Sequence, residues 1–242
     1  MHLKIINPNT TVAMTEGIAK AARAVAAQGA EIESCNPSDG PPSIEGWYDD
    51  AIAAAAVMET IRADDGRADA IIIACFGDPG LQAAKEATTR PVVGIAQAAM
   101  TMAALIADGF SIVTTLARTI PISNHLVRAY GMEHYCRAVI AADIPVLMLE
   151  EEPQKCYQLI EAECRQTLEK DRAGAIVLGC AGMSDTARRL TDSLGVPVLD
   201  GVACAVKLCE SLVGLRLSTS AASYPQPLAK TYAGKFSSLS PK

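Results

Sequence analysis

Two of the eight cysteines in this 242-residue chain stand apart, because each follows a hydrophobic run and precedes a turn of small residues. Asp69-Ala70-Ile71-Ile72-Ile73-Ala74 leads into Cys75-Phe76-Gly77-Asp78, and Gly174-Ala175-Ile176-Val177-Leu178-Gly179 leads into Cys180-Ala181-Gly182-Met183. A thiol at the carboxyl end of a strand, close to the next helix's N-terminus, meets partial positive charge and free amide hydrogens that favour the thiolate. Against an ordinary thiol pKa of about 8.5, a modest depression is enough to populate the base near neutrality. Two such groups facing each other suit one reaction class. One takes a proton from one face of a carbon, the other returns a proton to the opposite face, and the stereocentre inverts. One cysteine must start as thiolate and the other as thiol, and the roles exchange with the hand of the substrate. No cofactor is required if the intermediate is an enolate whose charge the backbone amides of the two turns can hold. Such donors are worth about 2.7 to 4 kcal/mol each, and general acid–base work adds typically about 10² to 10⁴-fold.

The elements that would position this pair follow from short β-branched runs alternating with alanine-rich segments of helical length, the pattern of parallel sheets covered by helices. Strands are placed at Leu3 to Asn7, Glu31 to Cys35, Ala70 to Cys75, Pro91 to Gly94, Phe110 to Thr114, Ala138 to Ala142, Ala175 to Gly179 and Pro197 to Leu199. Thr10-Thr11 is read as the cap of the first helix, Trp47 to Ala63 as the second, and Asp78 or Pro79 as the opening of the third. The chain also resembles itself. Cys75 and Cys180 lie 105 residues apart, Pro91 and Pro197 106, and Ile5 and Ile112, which begin the runs Ile5-Ile6-Asn7-Pro8-Asn9-Thr10 and Ile112-Val113-Thr114-Thr115-Leu116-Ala117, 107. A duplicated α/β half is the expectation, with two Rossmann-like domains related by a pseudo-twofold and a site in the cleft where their strand ends converge. The first domain would comprise residues 1–95 with a C-terminal segment of about 205–242, and the second residues 96–204. From Ser218 a tail rich in Ser, Pro and Ala follows, in which Tyr232 and Phe236 imply docking.

Composition narrows the class. With 21 basic against 27 acidic side chains, for a net charge of -6, the chain lacks the basic surplus that a nucleic-acid or anionic-membrane binder needs. The N-terminus has no secretory pattern, and the longest uncharged stretch, Pro91 to Ala107, is too short to span a bilayer. A cytoplasmic protein without a disulfide framework is expected. There is no Cys-x-x-Cys, and His2, His125 and His134 show no ligand pairing, so no metal site is read. Cys35, Cys136, Cys156, Cys164, Cys204 and Cys209 are expected to be small core residues.

The motifs Ile6-Asn7-Pro8-Asn9-Thr10, Pro42-Ser43-Ile44-Glu45-Gly46, Ala74-Cys75-Phe76-Gly77-Asp78-Pro79-Gly80, Ser111-Ile112-Val113-Thr114-Thr115 and Gly179-Cys180-Ala181-Gly182-Met183 occur in order along nearly the whole chain. In them the sequence resembles the hydantoin and allantoin racemases of the aspartate/glutamate racemase superfamily. That resemblance implies two pseudo-symmetric α/β domains and a cofactor-independent two-base racemisation with catalytic roles for Cys75 and Cys180. It also implies a substrate pocket lined by Asn9, Ser43, Phe76, Gly77, Thr114, Thr115, Ala181 and Gly182, and a homo-oligomer. Amino-acid racemases of the superfamily follow their cysteines with Asn-Thr and Thr-His; here Phe76-Gly77 and Ala181-Gly182 follow, which suits a neutral ring. The expected substrate is a cyclic ureide, allantoin or another 5-substituted hydantoin, whose C5 hydrogen is acidified by the adjacent carbonyl. The stretch from Gly40 to Gly46 leans toward allantoin and hence purine catabolism.

Plainer readings stand beside these. Two buried strand-end thiols would need no chemistry, but the repeat and the flanking motifs weigh against them. Asn9, Thr10, Thr114 and Thr115 serve equally as helix caps, Ser43 as a turn residue after Pro41-Pro42, and Asp78 as an N-cap. His125 and His134 read as surface or interface residues, and Glu150-Glu151-Glu152 as a solvated helix start. The functional rivals are a superfamily amino-acid racemase, a malonate decarboxylase with a single cysteine, and a non-catalytic bilobal small-molecule binding protein.

Overall fold

The computed structural model describes residues 1–64 and 66–241, the side chain of residue 185 excepted. In chain order the elements are β1 (His2–Ile6), α1 (Val12–Val25), β2 (Glu31–Cys35), α2 (Trp47–Arg62), β3 (Ala70–Ile73), α3 (Leu81–Ala87) and β4 (Val92–Gly94). They continue with α4 (Ile95–Ile106), β5 (Phe110–Thr114), α5 (Ile120–Ala129), β6 (Cys136–Ala141), α6 (Met148–Glu151), α7 (Pro153–Asp171), β7 (Ala175–Gly179), α8 (Ala187–Leu194), β8 (Val198–Leu199) and α9 (Gly201–Gly214). The strands form two four-stranded parallel sheets, ordered β2-β1-β3-β4 and β6-β5-β7-β8, so the second repeats the first. All eight strands fall where the sequence places them, but β3 closes at Ile73, two residues short of Cys75. The thiol therefore sits in the turn beyond the strand.

The inner strands are continuous apolar runs because helices cover both faces. Every residue of β3 (AIII) and β7 (AIVLG) is buried. The edge strands β2 and β6 are half open, and Cys35 and Cys136 lie on them. These two are therefore not core residues, whereas Cys156, Cys164, Cys204 and Cys209 are buried as expected.

The halves are joined by α4 and α9. Alanine-rich α4 buries Ile95, Ala96, Ala98, Ala99, Met100 and Ala103, which explains the uncharged stretch. It rests on β7 while α9 rests on β3 and β4, and the two helices pack against each other. Gly201 permits that approach, since a Cβ there would stand 2.8 Å from the Ile95 carbonyl oxygen. One apolar core consequently runs through both sheets, from Leu3 and Ile72 through Met100 and Val206 to Ile112 and Val177. Among the described residues, no helix is long and apolar enough to cross a membrane, and no group of three or more His, Cys, Asp or Glu is placed to hold a metal ion.

Two caps differ from the sequence expectation. Thr11 occupies the N-cap of α1 without capping it; its Oγ1 donates to the Pro42 carbonyl, and Asn9 Oδ1 accepts from the Thr11 amide at 2.9 Å. Asp78 does not cap α3, whose N-cap is Gly80 at φ 71. It caps α4 from across the sheet, accepting from the amides of Ala96 and Gln97 at 3.0 and 2.9 Å and from Tyr130 Oη at 2.7 Å. The second half caps α9 directly, with Asp200 accepting from Val202 and Ala203 and from Ser184 Oγ. The helix cap falls to Gly94 in one half and to Asp200 in the other, and the Asp78 carboxylate fills the space a Gly94 side chain would take.

The tail docks on the first half. Thr219 donates through its amide and Oγ1 to the carbonyls of Thr89 and Arg90, and Arg62 donates to the Ser238 carbonyl.

Candidate active site

Cys75 follows β3 and Cys180 follows β7, the equivalent strands of the two sheets, and both thiols line one cavity at the carboxyl ends of the strands. Asn9, Phe76, Gly77, Thr114, Thr115 and Ala181 line it with them. Ser43 and Gly182 do not. Ser43 lies in the loop above the cavity while its neighbour Ile44 reaches in, and Gly182 sits behind Cys180, closed by Leu149. Met14, Ile44, Ala74, Ile122 and Val146 add apolar surface to the wall, Thr119 and Ser123 add hydroxyls and Gly179 adds backbone; none of these was anticipated as lining. Ile122 and Ser123 lie seven and eight residues past Thr115, in the first turn of α5; nothing in their local sequence marks them.

The wall is held from both halves. Thr114 Oγ1 lies 2.8 Å from Thr119 Oγ1 and donates to the Gly179 carbonyl. Asn7 Nδ2 donates to Asn9 Oδ1 and to Thr15 Oγ1, fixing the turn after β1. The 36–46 loop reaches the cavity through Ile44. The Thr10 amide donates to the Pro41 carbonyl at 3.0 Å, and the Val146 amide of the second half donates to Glu45 Oε1 at 3.0 Å. The cavity measures about 50 Å³. His125 and His134 are exposed, as expected, and His125 meets Trp47 edge to face at 5.6 Å.

The expected depression of the thiol pKa values is reversed. Burial pushes Cys180 up to about 11, an amide hydrogen bond from Gly182 opposes this, and Glu150 and Glu45 add to it. Burial pushes Cys75 higher still, against an amide hydrogen bond from Gly77, and Asp50, Cys180 and Asp78 add to the rise. At Cys75 the next helix is too far along the chain to help, since α3 begins six residues later; Cys180 is the N-cap of a short 3-10 turn, Ala181–Thr186, yet burial still outweighs the amide it receives. The Gly77 and Gly182 amides, assigned from sequence to the enolate, donate to the thiols.

Comparison with known proteins bears on this arrangement. A family model described as Asp/Glu/hydantoin racemase matches residues 3–209. A hydantoin racemase of Rhizobium meliloti is 45% identical over 236 residues, covering 97% of this chain and 98% of its own. The chain belongs to the Asp/Glu/hydantoin racemase family. Among solved structures, an allantoin racemase from Klebsiella pneumoniae is 50% identical with a TM-score of 0.97 over the whole of both chains. Another allantoin racemase, from Pseudomonas fluorescens, is 39% identical with a TM-score of 0.94, covering 97% of this chain and 100% of that one. As a member of this family, the chain is a racemase and hence an isomerase. Its two four-stranded parallel sheets are the family's α/β fold.

Proposed function

We propose that the chain inverts the C5 stereocentre of allantoin or another 5-substituted hydantoin by proton transfer between Cys75 and Cys180. The observation that carries this reading is the opening of both thiols, from matching positions in the two halves, onto a single cavity. The thiolate of one cysteine removes the C5 proton, and the electron pair left behind delocalises into the adjacent ring carbonyl as an enolate. The thiol of the other cysteine delivers its proton to the opposite face, leaving the two sulfurs with exchanged protonation states. Gly77 and Gly182 N–H groups steady whichever sulfur carries charge. Ala74, Phe76, Ile44, Ile122, Val146 and Ala181 supply a dry wall suited to a neutral ring, in which a carbanion is not quenched by bulk water.

A decarboxylase with one cysteine would leave the second thiol unexplained, and a simple binding protein would explain neither. The test is loss of optical activity of single enantiomers of allantoin and of a 5-alkyl hydantoin, followed by circular dichroism against an enzyme-free control. Racemisation well above background by the native chain is expected, together with its loss by at least about 10³-fold in Cys75→Ser and in Cys180→Ser. The relative rates choose between the two substrates. Unimpaired racemisation in either variant would overturn the two-cysteine mechanism.

A further inference from the structure

The turns that follow the two cysteines are backed by different side chains. A Cβ at Gly77 would stand 2.6 Å from Asp50 Oδ1 and 3.8 Å from Cys75 Sγ, whereas a Cβ at Gly182 would stand 2.9 Å from Leu149 Cδ1 and 3.7 Å from Cys180 Sγ. The glycines are matched in position and each donates its amide to its own cysteine. The pseudo-symmetry is broken behind them, by a carboxylate in one half and a leucine in the other. Asp50 Oδ1 is buried and has no hydrogen-bond partner among the described residues. An orphaned buried oxygen is costly, and packing does not demand one here, since leucine closes the equivalent turn.

We propose that Asp50 is a positioning residue that makes the two cysteines unequal: from behind Gly77 it disfavours ionisation of Cys75, so that Cys180 is the cysteine that ionises first. This rests on the two-cysteine reading above. A carboxylate beside a thiol disfavours its ionisation by like-charge repulsion, more strongly where water is excluded. The charged and titratable groups around the pair agree. Among the described side chains, Cys75 faces Asp50, Asp78 and Cys180, while Cys180 faces Glu150 and Glu45 and has Leu149 packed behind Gly182. Asp50 itself faces His125 and Tyr130 of the second half, with Arg118 packed against Gly46 at the start of its helix. Burial raises the Asp50 carboxyl to about 6, with His125 opposing, so its effect on Cys75 sets in as the pH rises through that value. In the forward half-cycle Cys180 takes the C5 proton and Cys75 gives one up; after the product leaves, repulsion from Asp50 favours return of a proton to Cys75 and loss of the one on Cys180, which restores the starting protonation states.

The test uses the full chain with one active-site cysteine at a time. In a Cys180→Ser background, the rate of alkylation of Cys75 by iodoacetamide is followed against pH by mass spectrometry of its peptide, with Asp50 intact, with Asp50→Asn and with Asp50→Leu. Both substitutions are expected to lower the midpoint of the Cys75 profile by about one unit, which is about tenfold faster alkylation below the midpoint. The Cys180 profile, taken in a Cys75→Ser background, is expected not to move. Asp50→Leu copies the side chain found behind Gly182 and guards against a folding defect particular to asparagine, and thermal melting checks both. An unmoved Cys75 midpoint in the folded variants, or equal shifts at both cysteines, would overturn the proposal. Failure of the underlying mechanism registers separately, as racemisation that survives Cys75→Ser or Cys180→Ser while Asp50 is intact.

Discussion

At the scale of single residues, the chemistry of the site is governed by burial. Sequence logic leads to a thiolate stabilised by a helix terminus; the structure instead leaves both cysteines half-buried in the cavity wall and gives each a single backbone amide. In the proposed mechanism the cost of ionising a thiol is thereby carried into the rate. With Cys180 raised to about 11, its thiolate fraction grows about tenfold per pH unit below that value. The sign is that of an acid with a raised pKa: the base is scarce at low pH and gained as pH rises. Racemisation measured from about pH 6 to about pH 9 is therefore expected to climb with a slope near one in log rate, and a plateau beginning near pH 7 would show that the thiolate is stabilised by something else. The cysteines were legible in the sequence because they end hydrophobic runs twice over. Asp50 was not, because it sits in the acidic first turn of an ordinary alanine-rich helix, where a carboxylate is expected to do no more than favour the helix dipole.

At the scale of elements, the strands were legible because parallel strands covered on both faces are unbroken apolar runs, and their spacing exposed the repeat. The caps were not, since they are long-range exchanges. Asp78 follows β3 yet serves α4, and only the three-dimensional pairing of β3 with β4 brings it there. Its backbone φ of 46 is the left-handed conformation that aspartate tolerates better than most residues, and burial raises its carboxyl to about 6 against the hydrogen bonds from Tyr130 and the α4 amides. The complementarity of Asp78 and Gly94 is testable as a swap. Asp78→Gly removes a cap and strands the Tyr130 hydroxyl, with an expected loss of about 1–3 kcal/mol. Gly94→Asp alone crowds the Asp78 carboxylate and is also destabilising. The double variant, which copies the arrangement at Asp200, is expected to recover part of the loss in urea unfolding; a strictly additive pair would show that the two carboxylate positions are not alternatives.

At the scale of the whole molecule, duplication explains why two acid–base groups converge. Two sheets of identical strand order, locked by α4 against α9, deliver their third strands' turns to one cavity. The offsets near 105 residues made that arrangement readable in advance, but the loop contact at the cavity was not, because the Glu45 to Val146 link joins loops from opposite halves and leaves no local pattern. In the proposed mechanism the same duplication makes the reaction two-faced, with each cysteine serving one side of the substrate carbon. The direct measurement is deuterium incorporation at C5 in heavy water, followed by NMR, for each enantiomer separately with Cys75→Ser and with Cys180→Ser. Two-base transfer predicts that each variant exchanges the C5 hydrogen of one enantiomer only, and that the two variants choose opposite enantiomers. Exchange of both enantiomers by the same single-cysteine variant, at rates above the enzyme-free control, would contradict it.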